Sequence, residues 1–375
     1  MLTPGRYVFR LGLCAAGLLV LLIISPGIGT ESASFGWGDA WRAKLGIEIP
    51  AADLADRPWA DFDNDGKVSE DEAAGFVIAA ARIWDQRFSR ALLALQVGIT
   101  LALCGATFQV LFRNVLATPY TLGIASGGSL GALVAMRLGI GALVLGISGI
   151  SLCAFVGAIA VVGVVYFIST GSRRLTSSEL LLAGVTMGLF CSALMMLVTA
   201  VSDERVTFSA VRWMMGSLDP LGSVAGKLMW PFLLPAWVYL LAVSRSLNQY
   251  RLGDEMAAAR GVNVARLQGT CVLLCTLATA AVVSQCGPIG FVGLVVPHMV
   301  GLAFGTDCRI QLPASALVGG AFLIVCDWLS QLAMTLAGSA TGRHLGSATL
   351  PVGVVTAVIG VPIFLFLLRT RRRSG

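Results

Sequence analysis

The sequence has few charged residues and almost no histidine. Only 12% of its 375 residues are charged and two are histidines, whereas about a quarter of the residues of a soluble domain are charged. With 57% hydrophobic residues and a mean hydropathy of +0.84, this composition excludes a soluble globular protein. Two histidines also make a histidine-based metal site unexpected, and nothing in the composition suggests a nucleic-acid partner.

Long apolar runs are abundant instead. A membrane-spanning helix needs about 20 mostly apolar residues. Such stretches lie at 9–28, 91–112, 118–139, 144–169, 178–200, 228–244, 267–287, 290–304, 312–336 and 350–368. The sequence therefore predicts an all-α polytopic membrane protein with about ten transmembrane helices, the first within residues 1–28 and the others in a core at 91–375. The 44 glycines fit close helix packing in lipid.

The distribution of Lys and Arg predicts the orientation. Basic residues in short loops are retained on the cytoplasmic side. With both termini inside, 14 Lys and Arg fall on that side and 5 in the short outer loops. We therefore expect both termini to be cytoplasmic.

One long segment, residues 29–90, is acidic. Between Glu31 and Arg90 lie 12 acidic and 7 basic residues, a net charge of −5 in a chain whose total is +6. The orientation predicted above makes this segment an extracytoplasmic insertion.

Within the insertion, residues 61–72 match the 12-residue calcium loop of an EF-hand. The oxygen ligands at loop positions 1, 3, 5, 7, 9 and 12 would come from Asp61, Asp63, Asp65, Lys67, Ser69 and Glu72, with Lys67 using its main-chain carbonyl. Gly66 occupies position 6, where the loop turns sharply. The pattern predicts one Ca²⁺ site, followed by a helix from Ala73 to Ile83; an acidic solvated turn is the alternative.

Three glycine-rich motifs lie in the apolar core. Residues 113–131 break a helix at Pro119 and restart it with four glycines; residues 287–298 read GPIGFVGLVVPH, and residues 350–362 read LPVGVVTAVIGVP. Tight turns and glycine-packed helices would explain each motif alone. Together they resemble, in order, motifs of the ABC importer permeases for iron-siderophores, haem and vitamin B12. Two shorter blocks, 213–218 and 252–262, are similar to that family as well.

This resemblance implies a type II ABC importer permease fold in a bacterial inner membrane. It implies a homodimer with two ATPase subunits and an extracytoplasmic substrate-binding protein, carrying an iron chelate (siderophore or haem) or cobalamin. The sequence contains no G-x-x-x-x-G-K-[ST] phosphate loop. We therefore expect a transport subunit that is not an enzyme and has no cofactor in its transport core, with ATP bound only by the partner subunit.

The resemblance also implies site residues. A cytoplasmic hairpin within 250–268 would couple to the ATPase, with Asp254 and Glu255 beginning a helix and Asn263 capping a second short one. Its coupling residues would be Gly253, Asp254, Glu255, Arg260, Gly261 and Val262. A solvated loop helix is the alternative.

Two arginines just before the core, Arg87 and Arg90, correspond to arginines that dock the binding protein in the family. Arginine suits this role because its guanidinium group pairs with a carboxylate through two hydrogen bonds. Ordinary anchoring at the membrane interface is the alternative.

The predicted spans contain two polar side chains of note, His298 and Asp327. We expect His298 to be a hydrogen-bonded structural residue. The family commonly has Arg four residues after the aspartate, where this chain has Gln331. The sequence leaves open whether Arg343 takes the place of that arginine. Asp327 either bonds within the helix bundle or contacts the substrate. A second hypothesis for the chain is an ion-driven carrier that works through Asp327. A calcium-responsive membrane protein is a third hypothesis, resting on the 61–72 loop alone.

Overall fold

The computed structural model describes residues 4–28, 37–47, 49–54, 68–141, 143–144, 147–170, 177–218, 222–341 and 350–371. Over these residues the chain is almost entirely helical. The helices are α1 (Pro4–Ile24), α2 (Trp37–Lys44), α3 (Glu70–Leu111), α4 (Ile124–Arg137), α5 (Gly149–Thr170), α6 (Ser177–Ala200), α7 (Glu204–Met214), α8 (Gly222–Ala242), α9 (Ser244–Tyr250), α10 (Asp254–Ala259), α11 (Val264–Cys286), α12 (Val292–Phe304), α13 (Cys308–Thr341) and α14 (Val352–Arg371). Two short antiparallel strands, β1 (Leu143–Val144) and β2 (Ile147–Ser148), join α4 to α5.

The predicted all-helical membrane architecture is confirmed. Among the described residues, seven helices are long and apolar enough to cross a membrane, namely α1, α3, α5, α6, α8, α11 and α13. The other three predicted spans are shorter helices: α4 has 14 residues, α12 has 13, and α14 is apolar over Val352–Leu367. The count of ten is therefore approximate.

Helix α3 is the longest element, with 42 residues. A capping box begins it: the Glu72 amide donates to the Ser69 hydroxyl oxygen, and the Glu72 carboxylate accepts from the Ser69 amide. No break separates the polar first half of α3 from its apolar second half, so the predicted boundary between 90 and 91 falls inside one helix. At 1.5 Å per residue α3 is about 63 Å long, twice the thickness of a hydrocarbon core.

Glycine contacts set the spacing of α3 from its neighbours. A methyl group at Gly98 would overlap the carbonyl of Gly319 on α13, and one at Gly105 would overlap the carbonyl of Gly293 on α12. These positions require glycine because the backbones approach too closely for a side chain. The glycine-rich composition is thereby explained at the centre of the fold.

A small second core lies where the polar half of α3 meets the insertion. Phe76 and Ala80 of α3 pack against Ala43 of α2 and against Ile49 and Leu54. We call this end of the bundle the insertion end, and the opposite end, which carries residues 250–262, the hairpin end. Helix α3 runs from the first to the second.

The segment between α11 and α12 is non-helical backbone inside the bundle. Gly287 and Phe291 both have positive φ, 68° and 66°, and the amide of Ile289 donates to the Tyr120 hydroxyl oxygen at 3.0 Å. The amide of Ser217 donates to the Cys286 carbonyl at 2.8 Å. These bonds satisfy the backbone where neither helix does, as the apolar surroundings of a membrane protein require.

Candidate functional site

Two turns and a short helix form the predicted coupling hairpin. Gly253 has φ +125° and precedes α10, which begins at Asp254; Arg260 follows the helix, and Gly261 has φ +83°. Such φ values favour glycine because it has no side chain to clash. The predicted first helix is therefore present, ending at Ala259.

Asn263, which follows this turn, caps a longer helix than the sequence predicted. The Asn263 side chain accepts from the Arg266 amide at 3.0 Å, so it is a helix cap as predicted. The helix that it caps is the 23-residue α11, not a second short helix. The hairpin is thus joined directly to a membrane-crossing helix, because nothing interrupts the helical backbone from Val264 onward.

The hairpin exposes apolar side chains at the end of the bundle. Leu252 is 59% exposed and Met256 49% exposed, and the neighbouring Asp254, Glu255 and Arg260 are exposed as well. Apolar side chains rimmed by charge are typical of protein–protein contact surfaces. This surface therefore has the chemistry of a docking site for another protein.

An ion pair fastens the hairpin to α3. The Arg113 guanidinium group, two residues beyond the end of α3, donates to the Asp254 carboxylate and also to the Tyr250 carbonyl at 3.0 Å. It lies over the Tyr250 ring, 4.7 Å from the centroid, which adds a cation–π contact. Arg113 has φ +47°, an uncommon conformation for a residue with a side chain.

Tyr250 connects three helices at the hairpin end. Its side chain is 1% exposed, its hydroxyl donates to the Leu111 carbonyl at 3.2 Å, and Gln268 of α11 donates to the hydroxyl oxygen at 2.7 Å. Displacing the hairpin therefore displaces contacts to both α3 and α11. Sequence reasoning missed Arg113 and Tyr250 as partners of the hairpin; the signal was a basic residue at the end of a predicted span.

Helix α9 also holds the turn between α12 and α13. The Asn248 amide donates to the Asp307 carboxylate at 2.6 Å, while its own oxygen accepts from the Cys308 amide at 2.8 Å. Partial burial raises the pKa of Asp307, but the bond from Asn248, the amide of Arg309 and the charges of Arg309 and Arg251 outweigh it, so the net pKa is lowered. Hydrogen bonds and nearby positive charges thus stabilise the ionised form of the Asp307 carboxylate, which accepts these bonds.

The structure places His298 inside the hairpin end of the bundle. It is 8% exposed, and its ring centroid lies 6.0 Å from that of Phe364. The preceding Pro297 has no amide to bond the Gly293 carbonyl, and the Gln109 side chain donates there instead, at 3.4 Å. The His298 ring is thus packed in the interior against Phe364, and its role as a hydrogen-bonded structural residue stays a prediction.

The two arginines predicted to dock a binding protein both point into the bundle. Arg87 is 9% exposed and donates to the Pro26 carbonyl at 3.0 Å. Arg90 is paired with Asp327 of α13: its Nε and one terminal nitrogen each lie 2.8 Å from Asp327 Oδ1. Both guanidinium groups thus have acceptors within this chain, and the docking role expected of them stays a prediction.

Asp327 is the centre of this interior cluster. Its side chain is 4% exposed, and it accepts from Gln331 at 2.9 Å as well as from Arg90. Bonding within the helix bundle, one of the two predicted roles, is therefore observed. Arg343, whose role the sequence leaves open, lies outside the described residues. An aspartate held by an arginine keeps its charge compensated, which disfavours an ion-driven carrier that uses Asp327.

Comparison with known proteins identifies the family. The model of the FecCD transport family matches residues 17–370, nearly the whole chain. The chain belongs to the FecCD transport family. The predicted resemblance is thereby confirmed.

Three similar proteins agree with this family assignment. The chain is 35% identical over 290 residues to the uncharacterized ABC transporter permease YvrB of Bacillus subtilis, covering 77% of this chain and 79% of the relative. It is 36% identical over 288 residues to the vitamin B12 import permease BtuC of Salmonella typhi, with 76% and 83% covered. The cobalamin import permease BtuC of Halobacterium salinarum is 36% identical over 285 residues, with 76% and 72% covered.

Solved structures confirm the fold of this FecCD-family chain. A metal-chelate type ABC transporter in an inward-facing conformation superposes with a TM-score of 0.73 at 25% identity, covering 97% of this chain and 99% of that one. The PsaBC complex of Streptococcus pneumoniae gives a TM-score of 0.50 at 15% identity, with 75% and 90% covered. The type II importer permease fold predicted from the motifs is confirmed.

The calcium prediction falls partly outside the described residues of this FecCD-family chain. Asp61, Asp63, Asp65 and Lys67 are among the residues not described. Ser69 and Glu72 are described, and they form the capping box of α3. Within the described ranges no group of three or more His, Cys, Asp or Glu residues is placed to hold a metal ion.

Proposed function

We propose that the chain is the permease subunit of an ATP-driven importer for a metal chelate, working as a homodimer by alternating access. The observation that supports this most directly is the hairpin at 250–262, which exposes Leu252 and Met256 and is fastened to α3 through Arg113 and Asp254. Membership of a transport family that includes ABC importer permeases supports this. ATP would be hydrolysed by two separate subunits docked on this hairpin in the two copies.

In this mechanism the hairpin converts closure of the ATPases into helix motion. Gly253, Glu255, Arg260, Gly261 and Val262 would shape the docked surface. Asp254 has a second role, since its carboxylate is bonded to Arg113 at the end of α3. Tyr250 would carry the same displacement to α11 through Gln268.

The cargo we propose to test first is cobalamin. Relatives from a bacterium and an archaeon that are each 36% identical to the chain carry cobalamin import in their names. Iron chelates of siderophore or haem type are the second choice, since the metal-chelate transporter shares the fold. A soluble extracytoplasmic binding protein would deliver either cargo.

The proposed orientation places both termini in the cytoplasm of a bacterial inner membrane. The hairpin end would face the ATPases, and the insertion end would face the binding protein. The course of α3 from one end to the other supports this, because its polar half adjoins the acidic insertion and its apolar half ends beside the hairpin.

Uptake by reconstituted vesicles tests the importer. The permease, its ATPase and its binding protein are reconstituted with labelled cobalamin outside and ATP inside, and wild type is compared with Glu255→Ala and Asp254→Asn. We expect loss of most ATP-dependent uptake in both variants. The matched control, Glu204→Ala, changes an exposed first-turn acid of α7 and should transport normally.

The outcomes separate the candidate mechanisms. Uptake that proceeds without the ATPase, or with both hairpin variants at the wild-type rate, would overturn the importer and favour an ion-driven carrier. Loss in Asp254→Asn with normal uptake in Glu255→Ala would restrict the proposal to the contact with α3.

We also propose that residues 61–72 bind one Ca²⁺ ion. Support comes from the loop pattern in the sequence, in which ligand positions 1, 3, 5, 7, 9 and 12 and the glycine at position 6 all match. Loop positions 9 and 12, Ser69 and Glu72, also begin α3 as its capping box. Calcium titration monitored by thermal unfolding tests it, with Asp61→Asn/Asp63→Asn beside the control Asp53→Asn. A midpoint that rises with Ca²⁺ only when Asp61 and Asp63 are intact is expected; identical curves for all three proteins would refute the site.

A further inference from the structure

A cavity of about 190 Å³ lies at the hairpin end, between the last residues of α3 and the turn that joins α12 to α13. This volume has room for several water molecules. We call it the hairpin-end cavity. The lining residues that matter below are Gln109, Arg251, His298, Gly301, Leu302 and Gln311.

Gln311 brings a buried hydrogen-bond acceptor to this cavity. Its side chain is 7% exposed, and its amide nitrogen donates to the Pro297 carbonyl at 3.4 Å. Its oxygen, Oε1, is buried and has no hydrogen-bond partner among the described residues. Leaving a buried acceptor without a partner costs free energy. We therefore expect a molecule in the cavity to donate a hydrogen bond to this oxygen.

Arg251 brings a positive charge to the same cavity. It follows the last residue of α9, its side chain is exposed, and one terminal nitrogen donates to the Thr306 carbonyl in the turn between α12 and α13. A guanidinium group has five N–H donors. One bond to a carbonyl therefore leaves donors with which Arg251 can bind an anion.

The charges around this turn favour an anion as well. Arg309 lies in the first turn of α13, and Arg10 of α1 donates to the Ala303 carbonyl at 3.0 Å. Asp307 opposes them, but its carboxylate already accepts from the side chain of Asn248 and from the amide of Arg309. Together with Arg251, these three arginines and one aspartate carry a net charge of +2.

We propose that the hairpin-end cavity binds a phosphate group that also carries a hydrogen-bond donor. Arg251 would hold the phosphate, because a guanidinium group pairs with two phosphate oxygens at once. The donor would bond Gln311 Oε1. Two kinds of molecule have this chemistry, a phospholipid with headgroup hydroxyls, such as phosphatidylglycerol, and soluble inorganic phosphate.

The position of the cavity suits either source. Basic pockets between membrane helices on the cytoplasmic side bind anionic headgroups, and Leu302, which lines the cavity and is 55% exposed, would lie along an acyl chain. A bound phosphate would tie the residue before the hairpin to α12 and α13. The site itself does not require the importer function.

Two variants test the site by different means. Arg251→Gln removes the charge, and its matched control is Arg245→Gln, an exposed arginine of α9. Gly301→Leu fills the cavity without changing the charge. A methyl group at Gly301 would lie 3.5 Å from the Gln311 amide nitrogen, which is an ordinary contact. Its matched control is Gly163→Leu, because Gly163 of α5 is an exposed helical glycine with open space around it.

The experiment uses the full-length protein in nanodiscs. Native mass spectrometry counts phosphatidylglycerol retained from discs that mix it with phosphatidylcholine, and inorganic phosphate is titrated into discs of phosphatidylcholine alone. Unfolding midpoints are measured in both series, since a ligand of the folded state raises the midpoint. We expect Arg251→Gln and Gly301→Leu to weaken binding by about tenfold or more, the effect of losing one hydrogen bond to a charged group.

The outcomes separate the source of the phosphate from the existence of the site. Weaker binding in the two cavity variants, with both controls at the wild-type level, supports the site, and the ligand that shows this pattern is its source. Equal binding in all five proteins, or a loss shared by the controls, overturns it. Midpoints without ligand verify folding, and if one cavity variant is unfolded the other decides. Absence of ATP-dependent uptake by wild type would refute the importer without affecting this result.

Discussion

Replacing Asp327 by alanine removes the acceptor of the interior ion pair between α3 and α13. The Arg90 side chain is 11% exposed and that of Asp327 4% exposed. Asp327 accepts at 2.8 Å and 3.1 Å from Arg90 Nε and at 2.9 Å from Gln331. Alanine would leave the guanidinium group in place without its counter-charge.

The expected loss of stability is large because the charge that remains is buried. Removing one partner of a buried pair costs about 3–5 kcal/mol, whereas replacing both partners by apolar residues of similar size is often neutral. We therefore expect Asp327→Ala and Arg90→Ala each to destabilise by about 3–5 kcal/mol. The double variant Arg90→Met/Asp327→Leu should recover most of that loss, and salt should have little effect because the pair is shielded from solvent.

Unfolding of purified protein in nanodiscs, followed by denaturant or heat, measures these differences. Arg205→Ala, an exposed arginine of α7 at the same end, is the control and should change stability by less than about 0.5 kcal/mol. Binding of the extracytoplasmic protein is measured on the same samples. We expect the double variant to bind it normally, since the pair lies inside the bundle.

Two results would refute this reasoning. Single variants within about 1 kcal/mol of wild type would mean that the pair is exposed to water or lipid headgroups in the membrane. A double variant that is stable but no longer binds the extracytoplasmic protein would restore the docking role predicted for Arg90 from the sequence.

Three further predictions concern the hairpin end and the helix contacts. Tyr250→Phe should destabilise by about 1–3 kcal/mol, because it leaves buried partners of the hydroxyl unsatisfied, and thermal unfolding measures this. Gly105→Val should prevent folding or lower yield sharply, because the side chain would overlap Gly293; size-exclusion chromatography detects it. The lowered pKa of Asp307 means that its contribution to stability is present above its unfolded pKa, near 4, and is lost as pH falls through the lower folded pKa. Unfolding midpoints in that acid range should fall less steeply with pH in Asn248→Ala; equal slopes would contradict the assignment.

The sequence predicted the features that depend on composition and local pattern. Apolar stretches located the helices, because a span of hydrocarbon demands a minimum length, and the turn residues Gly253 and Gly261 marked the hairpin. The glycine motifs led to the right family. The cap at Asn263 was predicted, but the helix it begins was not, because periodicity does not reveal where two adjoining helical segments are continuous.

Contacts between distant helices could not be predicted in this way. Arg90 and Asp327 are 237 residues apart, and they meet only because α3 and α13 run antiparallel in the register fixed by Gly98 and Gly319. The sequence shows an arginine before a span and an aspartate within another. Without that register, local pattern is equally consistent with an Arg90 that faces outward and an Asp327 that has no charged partner.

The uninterrupted course of α3 has a mechanical consequence. Its close contact with α13, Gly98 against Gly319, lies 28 residues from the first residue of the helix and 13 from the last, so the arms on either side measure about 42 Å and 20 Å. When α3 tilts about this contact, which lies in its apolar half, the two ends of the helix move in opposite directions, as the ends of a lever do. A displacement at Leu111 is then about doubled at Glu70, in the opposite direction. Under the proposed importer function, small movements at the hairpin end would become larger ones at the insertion end.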